Sequence, residues 1–76
     1  MILTPFVQGR IVSRTEAPGE PFVYYIRLNG PVWKLPQRKQ FFSFISTSQL
    51  VVRQLVLCAL EEDVHGEVYI RSVDAS

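Results

Sequence analysis

The sequence predicts an α+β domain in which one helix packs on a curved, mostly antiparallel sheet, in the order β-β-β-α-β. Four segments rich in β-branched and aromatic residues, separated by turn residues, predict four strands, with room for a fifth. Residues 50–63 contain no glycine or proline and are long enough for a helix. With 76 residues in total, the chain fits a single domain covering residues 1–76.

The first two strands form a predicted hairpin. Residues 6–15 and 21–28 carry the strand pattern, and in the second the residues Phe22, Tyr24, Ile26 and Leu28 share one face. Gly9 interrupts the alternation in the first strand, which suggests a bulge or bend. Between the strands, Pro18-Gly19 suits a type II turn, because proline fixes φ at its first central position and glycine accepts positive φ at its second.

An excursion at residues 31–39 separates the second strand from the third. Pro31 follows Asn29-Gly30 directly and cannot donate the hydrogen bond that would close a tight hairpin. Residues 40–45 return to a strand that is apolar on both faces, so its three phenylalanines are expected in the core. These are Phe41, Phe42 and Phe44.

A helix is predicted next, with Ser46 and Gln49 as a capping box and Gly66 as the C-terminal stop. Its apolar arc is broad, and Leu50 and Leu57 lie on the remaining side, which a surface helix would normally keep polar. We therefore expect a second copy or the loop at 31–39 to cover that side. Residues 67–73 form the last predicted strand, with Val68 and Ile70 inward.

The sequence lacks the residues and motifs that the common catalytic and metal sites require. Cys58 and His65 are the only cysteine and the only histidine, so neither an internal disulfide nor a zinc site of four such ligands can form. No nucleotide-binding, hydrolase or metalloprotease motif occurs. We expect no enzymatic activity, no cofactor and no metal.

Composition and charge indicate where the protein is located and what its surface could bind. The chain is 47% hydrophobic, has no run of apolar residues long enough to span a membrane and starts without a secretion signal, so a cytoplasmic protein without a membrane partner is expected. Residues 1–53 carry seven of the eight basic side chains, whereas residues 54–76 carry five of the seven acidic ones. This asymmetry is typical of an anion-binding surface, of attraction between copies, or of solvated faces within one fold.

The preferred hypothesis for function is a small interaction or ligand-binding module that acts as a homo-oligomer. A chain this short has a marginal core, and no disulfide or metal supplements it. The predicted subunit contact contains Leu50, Leu57 and Trp33.

An alternative is single-stranded nucleic-acid binding. The strand order resembles the partly open oligonucleotide-binding (OB) barrel, which also carries a helix between its third and fourth strands, and this resemblance implies nucleic acid as a partner. Exposed rings would stack on bases and cations would contact phosphates. The expected contact residues are Tyr25, Arg27, Trp33, Lys34, Arg38 and Lys39. A third hypothesis is a small-molecule pocket between helix and sheet, lined by Tyr24, Trp33 and Phe42.

Overall fold

β-Strands occupy the segments predicted as strands and also the second half of the segment predicted as a helix. The structure, a computed structural model, describes residues 2–29 and 40–75, with side chains described from residue 6 onward. These ranges contain five strands and no helix: β1 (Ile2–Thr15), β2 (Phe22–Leu28), β3 (Phe41–Ser46), β4 (Leu55–Glu62) and β5 (Val68–Ala75). The α+β prediction is therefore wrong.

The five strands form a single antiparallel sheet that curls into a nearly closed barrel. Neighbouring strands follow the order β3-β2-β1-β4-β5, and the outer strands β3 and β5 approach each other. The OB-like alternative fits this arrangement, since the OB barrel has five strands and is only partly closed. Among the described residues, no helix is long and apolar enough to cross a membrane.

β1 is long because it serves both halves of the barrel. Its second half pairs with β2, from Gly9 opposite Leu28 to Thr15 opposite Val23, and its first part pairs with β4, from Ile2 opposite Glu61 to Arg10 opposite Leu55. The register shifts between Ile2 and Thr4, between Thr4 and Val7 and between residues 11 and 13, rather than at Gly9 as the sequence suggested. Gly9 instead allows close packing, because a Cβ there would lie 2.9 Å from Cγ2 of Ile26.

The core lies inside the barrel and confirms the predicted face of β2. Tyr24 and Ile26 are fully buried and Leu28 is nearly so, whereas Tyr25 and Arg27 are exposed. Strand alternation alone produces this division, because successive side chains point to opposite faces. All four other strands contribute side chains to the same cluster, namely Ile11, Phe42, Val56, Cys58, Leu60 and Ile70.

Residues 55–62 form a strand because both of its neighbours offer a hydrogen-bonding edge. β4 pairs with β1 on one side and β5 on the other, which satisfies its backbone across the sheet. A short apolar run such as LVLCAL suits a buried strand as well as a helix, so periodicity alone could not decide between them. The predicted cap is absent as well: Oγ of Ser46 accepts a hydrogen bond from the Ser48 N–H at 3.0 Å, a local turn after β3.

Residues 47–54 take the place of the OB helix and are held by Tyr24. The Tyr24 hydroxyl donates to the carbonyl of Ser48 and accepts from the N–H of Leu50, both at 2.7 Å. Leu50 packs against the core cluster. Further along, the Arg53 N–H donates to the carbonyl of Ile11 at 2.6 Å, which joins this segment to β1. One buried hydroxyl thus fixes the connection between β3 and β4.

The two glycine turns have the backbone that their sequences favour. Gly19 has φ of 77° and the Glu20 N–H donates to the carbonyl of Ala17 at 3.0 Å, which confirms the predicted turn at Pro18-Gly19. Gly66 was expected to end a helix, but it lies in the β4–β5 turn with φ of 80°. There, Oδ1 of Asp63 accepts hydrogen bonds from two backbone N–H groups of the turn.

Candidate functional site

The outward side of β1, β2 and β3 presents three rows of side chains, which we call the β1–β3 face. Residues directly opposite each other in an antiparallel pair point to the same side of the sheet. Pairing of β2 with both neighbours defines the rows, each given in the order β1, β2, β3: Arg10, Arg27, Phe41; Ser13, Tyr25, Ser43; Thr15, Val23, Ile45. The face therefore grades from cationic at one end to aliphatic at the other.

Two aromatic rings stand out from the β1–β3 face. Tyr25 is 40% exposed and Phe41 is 59% exposed. Phe41 lies diagonally across from Tyr25, two residues before the Ser43 that faces it. The prediction that Phe41 belongs to the core is wrong, because Phe42 takes the inward position at this end of β3 and leaves Phe41 outside.

Two arginines lie opposite each other beside these rings. Arg10 and Arg27 are register partners and both are exposed. Like charges in directly opposed positions destabilise a sheet. Neither β2 nor β3 contains an aspartate or glutamate, so these two strands provide no carboxylate to offset the charge. An anionic ligand lying across the row would relieve this repulsion.

A backbone carbonyl of the segment beside β1 holds the side chain of Arg10. Nη1 of Arg10 donates a hydrogen bond of 2.6 Å to the carbonyl of Arg53, in the segment beside β1. On its other side Arg10 is the register partner of Leu55 on β4, so the row runs from Phe41 through Arg27 and Arg10 to a leucine. The sequence did not reveal this arrangement, because cross-strand register cannot be derived from spacing along the chain.

Arg14 has a structural role instead. Its guanidinium lies 3.3 Å from the Glu16 carboxylate and 5.0 Å from the centre of the Phe22 ring. It also donates to the carbonyl of Leu50 at 3.2 Å. These contacts engage the guanidinium of Arg14 and connect the end of β1 to the 47–54 segment.

The opposite side of the barrel has a different electrostatic character. Tyr69 on β5 is 43% exposed, but its hydroxyl donates to Oε2 of Glu61 at 3.0 Å. This hydrogen bond is the main reason that the pKa of Tyr69 is raised. Arg71 lies 3.6 Å from the same carboxylate oxygen. The ring and cation on this side are therefore paired with an acid, which makes them poor contacts for an anion.

The structure places the sequence-predicted contact residues in different regions. Tyr25 and Arg27 lie together on the β1–β3 face, as expected for a binding surface. Trp33, Lys34, Arg38 and Lys39 lie outside the described residues. Leu50 belongs to the 47–54 segment and Leu57 to β4, where it is half-buried opposite Gln8. The helix that was to present these leucines on one side does not exist, so self-association through them stays a prediction without its original support.

The hypothesis of a pocket between helix and sheet also loses support, because the segment predicted to form the helical wall contains no helix. Tyr24 and Phe42, two of its three expected lining residues, are buried in the core. The third residue lies outside the described ranges. An open groove of about 470 Å³ does occur elsewhere, lined by Arg14, Gln49, Leu50, Val51 and Val52.

Cys58 has the environment of a core residue and not of a nucleophile. It is fully buried on β4, and burial raises the pKa of its thiol from 9.0 to about 11. A reactive cysteine requires a lowered pKa and access to solvent.

Comparison with protein-family models, with curated proteins and with solved structures finds no significant match to this chain. The likeness to the OB barrel is therefore one of strand number, order and direction.

Proposed function

We propose that the protein binds single-stranded nucleic acid across the β1–β3 face. The observation that carries this proposal is the combination of two exposed rings, Tyr25 and Phe41, with the opposed arginines Arg10 and Arg27 on one side of the sheet. Strands 2 and 3 of OB barrels are the surface on which oligonucleotides bind. The exposed rings occupy the same two strands here.

Each group on the face has a defined part in this function. The rings offer flat apolar surfaces on which unpaired bases stack, and stacking tolerates any base because every base has a π-face. Guanidinium groups match the geometry of phosphate oxygens and are always charged. Ser13 and Ser43, on either side of Tyr25, provide hydroxyl groups that can donate to or accept from base edges.

The charge distribution supports a nucleic-acid partner although the net charge is only +1. Phosphate binding depends on local positive charge, and the opposed arginines have no acidic residue on β2 or β3 beside them. The carboxylates of Glu61, Asp63 and Glu67 belong to β4 and the β4–β5 turn. We expect binding that is modest in strength and falls steeply as salt is added.

Fluorescence anisotropy of a labelled oligothymidylate at low salt tests the proposal. Replacing Tyr25 or Phe41 by alanine removes one stacking surface, which is worth about 1–3 kcal/mol per base and hence about 5- to 150-fold in affinity. We expect each variant to weaken binding within this range. Both side chains are well exposed, so the fold should survive, and circular dichroism of each variant checks this.

Tyr69→Ala is the matched control. Tyr69 is exposed to nearly the same extent as Tyr25, 43% against 40%, but it lies on β5 beside Glu61. Its removal should leave affinity for the oligothymidylate unchanged. If the wild-type protein does not bind the oligonucleotide, or if all three alanine variants lose the same affinity, the proposed surface is wrong.

A further inference from the structure

The spacing of the two rings on the β1–β3 face defines which form of nucleic acid can occupy them. Tyr25 and Phe41 are diagonal neighbours in an antiparallel pair, so their Cα atoms are about 7–8 Å apart. Successive bases along one strand of B-form DNA are only about 3.4 Å apart. Two adjacent bases that each lie on one of these rings must therefore be drawn apart to about twice their stacked separation.

We propose that Tyr25 and Phe41 together form a subsite for two adjacent, unstacked bases of an extended single strand. This inference rests on the proposed function and goes beyond it by defining the unit of recognition. A base-paired duplex cannot adopt this spacing without losing its stacking. The site selects extended single strands because of its geometry, before any contact with a base edge is made.

The arginine row is placed to hold the strand beside these bases. Arg27 lies directly opposite Phe41 and two residues from Tyr25 on the same face of β2, so it adjoins both rings. Arg10 lies next to it on β1, on the side away from Phe41. The sugar-phosphate chain thus passes along the arginines while two consecutive bases turn toward β2 and β3.

Stacking energy gives both rings of the two-base subsite a part in binding. Drawing neighbouring bases apart costs the stacking between them, and each ring replaces that lost contact on one base. Thymine tracts stack weakly among themselves, whereas adenine tracts stack strongly. We therefore expect oligothymidylate to bind more tightly than oligoadenylate of the same length.

Two oligonucleotides of equal length and equal phosphate count test this inference. Both contain thymine at half of their positions and abasic sugars at the rest. In one the thymines occur in adjacent pairs, and in the other thymine and abasic sugar alternate. In the paired arrangement, two neighbouring thymines can stack on the two rings. In the alternating arrangement, a thymine can stack on only one ring unless the strand bends. We expect the paired oligonucleotide to bind roughly 5-fold more tightly or better, the value of one stacked base.

The Tyr25→Ala variant provides the internal control. With one ring left, only one base can stack, so the paired and alternating oligonucleotides should bind it equally. Equal affinities of the two for the wild-type protein, with tight binding of full oligothymidylate retained, overturn the two-base subsite but not the proposed function. A preference that persists in Tyr25→Ala overturns the assignment to these two rings. Absence of any binding to full oligothymidylate contradicts the proposed function itself.

Discussion

The opposed arginines of the β1–β3 face make the salt dependence of binding a quantitative prediction. Arg27 is the better of the two to replace, because Arg10 also donates a hydrogen bond to the Arg53 carbonyl and its loss would disturb the neighbouring segment. Arg27→Gln removes one positive charge from β2 while keeping a polar side chain of similar length. The exposed position leaves room for this change without repacking the core.

The expected magnitude follows from counterion release. For single-stranded nucleic acid, each neutralised phosphate contributes about 0.7 to the slope of log affinity against log salt concentration. Arg10 and Arg27 together should therefore contribute about 1.4, and Arg27→Gln should lower the slope by about 0.7. When the salt concentration rises from about 50 to 200 mM, the affinity of both proteins falls. The fold decrease should be about 2.5 times smaller for Arg27→Gln than for the wild-type protein.

The assay is an anisotropy titration of oligothymidylate at several salt concentrations, repeated for the two arginine variants. Arg71→Gln is the control, because Arg71 carries the same charge on β5 and pairs with Glu61 at 3.6 Å. Its slope should equal that of the wild type. The placement of the phosphate chain is refuted if Arg27→Gln keeps the wild-type slope, or if Arg71→Gln lowers the slope by as much.

Two further predictions concern the barrel that supports the face. Tyr24→Phe should lower the free energy of unfolding by about 1–3 kcal/mol in a urea titration, because the Leu50 N–H loses its acceptor. The control Tyr25→Phe, at an exposed position, should change the free energy of unfolding little. Equal stabilities of the two variants would contradict the role of the Tyr24 hydroxyl. Burial raises the pKa of the Cys58 thiol from 9.0 to about 11, so its contribution to stability is complete below pH 9.0 and is lost as the pH rises toward 11. The stability difference between wild type and Cys58→Ala should shrink over that interval, and a constant difference would show that burial does not raise the pKa of this thiol.

The local parts of the fold could be predicted from the sequence. Alternation in β2 places Tyr24 inside and Tyr25 outside, and Pro18-Gly19 specifies its turn through the backbone freedom of glycine. The same alternation was available in β3, where Phe41 shares a parity with the polar Ser43. The presence of three phenylalanines favoured a strand covered on both sides and concealed that signal.

The non-local parts could not be predicted. LVLCAL becomes a strand because β1 and β5 flank it, and nothing within residues 55–60 specifies those partners. The apolar residues that suggested a broad helical face lie partly in the core of the barrel and partly in the exposed segment of Val51 and Val52. The opposition of Arg10 and Arg27 depends on register across β1 and β2, including the shift after Ile11, so the site emerges only when the strands are paired.

The division of β1 between two partners constrains the order in which the chain can assemble. The meander of β1, β2 and β3 forms from contacts close in sequence, but Ile2 pairs with Glu61 and Arg10 with Leu55. Topologies dominated by such distant pairings fold slowly, on the scale of about milliseconds to seconds. On the ribosome, the apolar surface of the first three strands stays uncovered until Val56, Cys58 and Leu60 have been synthesised. During that interval the nascent chain can associate with other chains. The Tyr24 hydroxyl also lacks its hydrogen-bond partners, the Ser48 carbonyl and the Leu50 N–H, until residues 48–50 have been synthesised.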